Sequence, residues 1–200
     1  MNVLGKAPQK SQILLEAHLS QFNGEVILSK PRKTKLGDFR INISTGKCRI
    51  SINSDLNKYS FLITLLHELA HYFTWKKHGN SVQPHGLEWK TSFQELASPY
   101  INESVFPPDI SEAFTNYLKN PKASSCSDQK LFRSINAFNN KDSEYSYISE
   151  LRIGSLFSYG NKGMFRILEK KRKRFLCFHL ESEKNYLFQP ITRVKLLTPS

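Results

Sequence analysis

Nowhere in these 200 residues does an apolar run approach the roughly 20 residues that a membrane-spanning helix needs, so a soluble protein with no membrane partner is expected. Cysteine is scarce as well. Cys48, Cys126 and Cys177 are odd in number, far apart and form no C-x-x-C pair, which excludes a disulfide framework or a cysteine zinc ribbon and leaves them as bystander thiols. The opening segment, Met1 to Pro8, lacks the apolar core and small-residue cleavage site of a signal peptide. A cytoplasmic location is therefore expected, with nucleoid association an option. Acidic residues are also in deficit: 17 Asp and Glu stand against 29 Lys and Arg, a net +12 that favours a polyanionic partner. The excess is uneven. Residues 1–119 carry 14 basic and 10 acidic side chains, whereas residues 120–200 carry 15 and 7.

What is present reads as a chain in two parts. Residues 8–20 have Pro8 in a first turn and apolar residues at helical spacing. Short β-rich runs follow at Glu25–Ser29, Asp38–Ile43 and Lys47–Ile52, the last two joined by Ser44-Thr45-Gly46 as a hairpin turn. Between the first two runs lies a basic loop, Lys30 to Gly37. From Asp55 to Lys77 the pattern is helical, with a polar start and two lysines before Gly79. Further helices are predicted over Gly86–Ala97, ended by Pro99, and Asp109–Leu118. Residues 120–147, rich in Asn, Ser, Lys and Asp, read as a linker. Strand-like runs then recur at Glu150–Phe157, Gly163–Glu169, Arg174–Leu180, Asn185–Gln189 and Thr192–Leu197, the spacing of a small antiparallel β-barrel-like module. The expected fold class is α+β: a helical domain with a small sheet over 1–119, the linker over 120–147, and a basic all-β module over 148–200.

The chemistry is concentrated in His67-Glu68-Leu69-Ala70-His71. Residues four apart share one helix face, so two imidazoles can reach one Zn²⁺ while Glu68 leans over the open side. The apolar run Phe61 to Leu66 and the aromatic stretch Tyr72 to Trp75 supply a buried helix to carry them. With six His and twelve Glu, chance order would produce this pattern about once in a hundred such chains. Zinc brings water near ionisation at neutral pH and a carboxylate can take the proton, which makes Glu68 the candidate general base of a zinc metallopeptidase. Catalytic zinc usually has three protein ligands. The downstream candidates are His78, His85, Glu88 and Glu95; His85 is preferred because the turn before Gly86 can aim its ring at the preceding helix, and Glu88 is the rival.

Taken with His85-Gly86-Leu87-Glu88-Trp89-Lys90, the motif resembles the SprT-like zinc metallopeptidases, whose pattern continues with His-Gly, then an aromatic three residues after the Gly and commonly a Lys. Leu36-Gly37-Asp38-Phe39-Arg40 is similar to the family's segment before the hairpin. The resemblance covers about residues 10–118. It implies one catalytic zinc, an open active-site groove, a protein or peptide substrate and, as in Spartan-type relatives, DNA-dependent cleavage of proteins crosslinked to DNA. Many bacterial members end in a cysteine zinc ribbon, which Cys126 and Cys177 cannot build. Its replacement in nucleic-acid binding is expected to be the basic hairpin Lys170, Lys171, Arg172, Lys173 and Arg174, with Phe165 and Phe175 available for stacking on single strands. His18 and His179 have no partner pattern and read as structural. Two rival readings stand beside this one: a non-proteolytic nucleic-acid-binding factor using the zinc fold as scaffold, and a general cytosolic peptidase indifferent to DNA.

Overall fold

The computed structural model describes residues 3–32, 34–42, 44–102, 105–123, 128–138 and 145–197; Lys33, Ile43 and Cys126 lie outside them. The chain divides into two compact units, Met1–Asn139 and Asn140–Ser200. Among the described residues no helix is long and apolar enough to cross a membrane.

The first unit is built on a helix that is buried nearly all round. Asn57 caps it by accepting from the backbone N–H groups of Tyr59 and Ser60, and the helix, α2, runs Lys58–His78 to Gly79, whose φ of 61° no side chain favours. Phe61 to Leu66 are buried without a break, as are Leu69, Ala70 and Tyr72. Such a helix belongs inside a core. Against it lies a three-stranded sheet, β1 Gly24–Ser29, β2 Gly37–Ile41 and β3 Cys48–Asn53, in the order β1-β3-β2. β3 is central, with Ile50 and Ile52 fully buried. The expected hairpin joins β2 to β3, while β1 pairs with β3 in parallel. Before the sheet, α1 spans Gln12–Ser20.

Helix α3, Leu87–Asn102, presents Trp89, Phe93, Ala97 and Tyr100, all fully buried, at spacings of four, four and three. Its predicted end before Pro99 is corrected: the helix continues through that proline. Proline removes the N–H that would bond to Glu95 and crowds that residue's carbonyl with its ring. One turn is kept by burying Tyr100, whose hydroxyl also meets Nδ1 of His18 at 2.9 Å, so tertiary packing overrides the local breaker. Helix α4, Pro108–Leu118, places Phe114 against Phe93 and Phe106. The segment expected as a linker also needs correcting, because it carries α5, Gln129–Asn136, capped by Asp128 and anchored in the first unit's core by Leu131 and Ile135.

The second unit is a six-stranded antiparallel sheet. Its strands are β4 Tyr145–Tyr147, β5 Leu156–Ser158, β6 Met164–Lys170, β7 Phe175–His179, β8 Asn185–Phe188 and β9 Arg193–Leu197, in the order β4-β9-β5-β6-β7-β8. Alternate residues face inward: Phe165 and Ile167 on β6, Phe175 and Cys177 on β7, joined by Ile148, Phe157, Phe188 and Val194. The run expected as one strand over Glu150–Phe157 is strand only from Leu156. A 3₁₀ turn at Ile148–Glu150 and Gly154 at φ 90° break it. The described pairing runs from β4 at one edge to β8 at the other, without a pair that closes a barrel.

Candidate metal centre

Helix α2 puts His67 and His71 on one face, and the turn before α3 returns His85 to them. His85 adopts φ 58°, the left-handed region that a non-glycine residue enters only when its surroundings hold it there. The Nε2 atoms of the three rings lie 3.2 Å (His67 to His71), 3.0 Å (His71 to His85) and 3.2 Å (His67 to His85) apart. They form a group that could hold a metal ion. The fit is close, since nitrogens about 2.0–2.1 Å from a tetrahedral zinc stand roughly 3.3 Å from one another. Behind the rings lies Trp89, fully buried, its ring centre 4.6 Å from those of His67 and His85 and stacked on His71 at 5.3 Å.

Electrostatics keep the imidazoles in their neutral, ligating form. Burial, helped by His71 and His85, lowers His67 to about 2. His71 is lowered to about 4 by burial and by His85, and burial lowers His85 as well. Three uncharged rings converging on one point could hold a metal ion, since a neutral imidazole nitrogen is the form that ligates.

Beside them, Glu68 is 6% exposed and its carboxyl is pushed up to about 8, first by burial and then by the charge of Asp38. The backbone N–H of Phe39, with Arg32 and Lys35, pulls the other way. A Cβ on Gly37 would lie 2.8 Å from Oε1 of Glu68 and from Cγ2 of Thr64. Strand β2 can therefore approach the carboxylate only because residue 37 has no side chain. A small cavity of about 130 Å³ opens there, lined by Leu36, Gly37, His67, Glu68 and Phe93 among others.

Asp38 is itself held from several sides. Ser51 Oγ donates to it at 2.5 Å and Arg40 Nε at 2.6 Å, Arg32 forms an ion pair with it, and Lys35 lies 3.3 Å away. Burial alone would raise its carboxyl, but Ser51, Arg40, Arg32 and Lys35 outweigh burial and hold it below the ordinary carboxylate range. Arg32 also donates to the side chains of Ser51 and Asn53, which ties the loop before β2 to the middle of the sheet.

The model of the SprT-like family matches residues 8–111 of this chain, the stretch that contains β1 to β3, α2, α3 and all three imidazoles. The chain belongs to the SprT-like family. Membership brings a metallopeptidase-like character and a typical association with zinc. No curated protein and no solved structure matches the chain.

In this SprT-like chain the other candidates for third ligand lie elsewhere. His78, Glu88 and Glu95 line a separate cleft of about 760 Å³. The cations Lys170 to Arg174 are all exposed at the turn between β6 and β7 in the second unit, where Lys171 also pairs with Glu169. Phe165 and Phe175, expected as stacking partners beside that turn, are instead 3% and 5% exposed and belong to the core. The inward alternation along β6 and β7 accounts for this correction. Cys48 and Cys177 are buried free thiols. Sequence reasoning missed the Arg32–Asp38–Ser51–Asn53 network beneath Glu68. Its members are spread over 22 residues on three segments, and only the fold brings them together.

Proposed function

We propose that this SprT-like chain is a zinc-dependent endopeptidase in which His67, His71 and His85 hold one zinc ion and Glu68 is the general base. The observation that carries this reading is the convergence of three neutral imidazole nitrogens within 3.2 Å, with a buried carboxylate on the residue next to the first. A zinc ion held there supplies a Lewis acid and brings a water molecule close to ionisation at neutral pH. The chain's own residues do the remainder. Glu68 takes the proton at its carboxylate; burial makes that carboxylate more basic than an ordinary glutamate, and a cation held by the three imidazoles would favour the ionised form that a base needs. The Phe39 N–H and the open place at Gly37 fix where that carboxylate points. Trp89 and Phe93 exclude water from the back of the imidazoles.

The substrates are proteins associated with DNA. The support is the basic second unit, whose five consecutive exposed cations at the β6–β7 turn suit phosphate contact. The decisive experiment is Glu68→Gln, assayed with zinc content and hydrolysis of a protein substrate measured with and without DNA. The expected outcome is retained zinc and a loss of hydrolysis by several orders of magnitude, because base and metal act as a unit. A Glu68→Gln protein as active as the parent removes Glu68 from the mechanism. A parent inactive on every protein tested with DNA present makes the fold a scaffold instead.

A further inference from the structure

The small cavity of about 130 Å³ beside His67 and Glu68 has a floor and a mouth. Ile63, Phe93 and Tyr117 line it and are buried, which makes them its floor, while Thr34 and Ala123 line it and are exposed. The floor is held firmly. Phe93 is stacked on Trp89 at 5.2 Å and meets Tyr117 edge to face at 6.4 Å. The Tyr117 hydroxyl donates to the Lys122 carbonyl at 2.7 Å and accepts from the Lys122 N–H at 3.2 Å, so its ring cannot swing aside without breaking both bonds. The match to the SprT-like family ends at residue 111. Tyr117 and Ala123 complete the cavity from beyond that stretch, which makes its size a property of this chain.

What lies on the floor is carbon. Ile63 is aliphatic, Phe93 and Tyr117 present rings, and Thr64 brings its methyl carbon to the wall at Gly37. Among the described residues, none of the buried polar atoms that lack a hydrogen-bond partner lines this cavity. A polar side chain entering it would leave its water and find no partner on the floor, which is unfavourable, whereas an apolar one gains by burial. A lysine long enough to reach Glu68 would pair with it and block the base. Volume then sets an upper limit. An apolar protein cavity of about 150 Å³ holds one benzene, six carbons, so about 130 Å³ at the same packing holds roughly five non-hydrogen atoms. The side chains of Leu, Ile and Met carry four such atoms and fit, while Phe carries seven and does not.

Which residue of a substrate enters follows from Glu68. Hydrolysis adds the oxygen of water to the carbonyl carbon, breaks the C–N bond and leaves an amine that needs a proton. Glu68, having taken a proton from that water, is the group that returns it to the amine nitrogen. The cavity lies against Glu68, so it faces the residue on the amine side of the bond. We infer that this cavity selects a medium-sized aliphatic side chain, Leu, Ile or Met, on the residue immediately after the bond that is cut, with Ile63 and Tyr117 setting the size limit and Ala123 the width of the mouth. The inference rests on the peptidase reading.

The test uses the full chain and fluorescein-labelled peptides of one sequence that differ at a single central position: Ala, Leu, Phe or Lys. Binding is measured by anisotropy on the Glu68→Gln protein, whose side chain keeps its size but not its charge, and hydrolysis by the parent is followed by mass spectrometry of the products. The Leu peptide is expected to bind about tenfold more tightly than the Ala peptide, the lower end of what apolar pocket contacts are worth, and Phe and Lys no more tightly than Ala. The parent is expected to cut the bond before Leu. On the Glu68→Gln background, Ala123→Leu is expected to bring the ratio of Leu to Ala close to one. Ile63→Ala removes three carbons from the floor and is expected to raise Phe to the level of Leu. Should Ile63→Ala fail to fold, Ala123→Leu decides alone, since that side chain is exposed. Phe or Lys bound as tightly as Leu overturns the proposal, as do equal affinities for all four peptides, cleavage after Leu instead of before it, or Ala123→Leu with an unchanged ratio. A parent that cuts none of the peptides while the Glu68→Gln protein still ranks Leu first leaves the pocket standing and removes the peptidase reading, so the two failures are distinct.

Discussion

Gly37 and Glu68 share a space with no room for one more carbon: a Cβ at position 37 would stand 2.8 Å from the Oε1 of Glu68, closer than real Cβ atoms approach an oxygen. Strand β2 thereby acts as a stop for the carboxylate on helix α2, and the Phe39 N–H on the same strand bonds it. Gly37→Ala is expected to keep the fold and the zinc while displacing the Glu68 carboxylate. Because a shift of about 1 Å at a reacting group can cost roughly 100-fold, kcat is expected to fall by one to two orders of magnitude. Metal analysis and steady-state kinetics on the same preparation check it; unchanged kcat with full zinc would show that Glu68 has slack.

Asp38 gives a prediction in pH. Its folded-state carboxyl lies below the ordinary range: burial opposes ionisation, and the donors from Ser51, Arg40, Arg32 and Lys35 more than compensate. A carboxyl depressed by folding stabilises the protein above its unfolded value, about 3.9, and that contribution is lost as pH falls through the folded value. The parent's denaturation midpoint is therefore expected to drop steeply below about pH 4. Asp38→Asn starts lower at pH 7, because Arg32, Lys35 and Arg40 lose the carboxylate they share, and is expected to decline less over the acid range. Parallel declines would remove Asp38 from the acid sensitivity. The same variant takes away a negative neighbour that raises Glu68, so the acid limb of kcat/KM is expected to move to lower pH.

The third ligand separates two residues only three apart. His85 has its Nε2 within 3.2 Å of both other imidazole nitrogens, whereas Glu88 lines the separate cleft with His78 and Glu95. His85→Ala is expected to lose most bound zinc on dialysis, and Glu88→Ala to retain about one per chain. Metal content that follows Glu88 would reverse the assignment.

How far these features could be read from the residues depends on whether their cause is local. The α2 helix was legible because its apolar run is continuous and its His pair has the helical spacing. The hairpin of β2 and β3 was legible from Ser44-Thr45-Gly46. By contrast, the parallel pairing of β1 with β3 leaves no trace in either strand. Helix α5 is only eight residues long, and its cap at Asp128 and apolar Leu131, Phe132 and Ile135 are set among Asn, Ser and Lys; what holds it is Leu131 and Ile135 packing into a core made elsewhere. Pro99 misled for the same reason, since the helix continues past it to place Tyr100 in a core that other segments build. At the site, the three histidines that the fold brings together were visible as a pattern. The left-handed conformation of His85 and the Asp38 network were not, because each is imposed by contacts between distant segments.

The last prediction concerns the β6–β7 turn, closed by the Lys171 N–H donating to the Arg174 carbonyl at 2.8 Å, with all five cations exposed. Lys171 pairs with Glu169, so the informative variant neutralises Lys170, Arg172, Lys173 and Arg174 together. DNA affinity is expected to fall, and the slope of log K against log salt to flatten by about 0.7 to 0.9 for each phosphate that the variant no longer neutralises. Zinc content should not change, because the imidazoles belong to the first unit. If DNA stimulates hydrolysis, the variant should need more DNA for half-maximal rate yet reach the parental rate at saturation. The competing surface is the loop before β2. There, among the described residues, Arg32 is committed to Asp38, Ser51 and Asn53, and Lys35 lies against Asp38, so these two present less charge than the sequence suggests. Lys30 and Lys35 changed together are accordingly expected to leave the salt slope within experimental error. Equal affinity and slope for parent and hairpin variant would sink the hypothesis, and a weakening confined to the Lys30 and Lys35 variant would transfer the binding surface to the first unit.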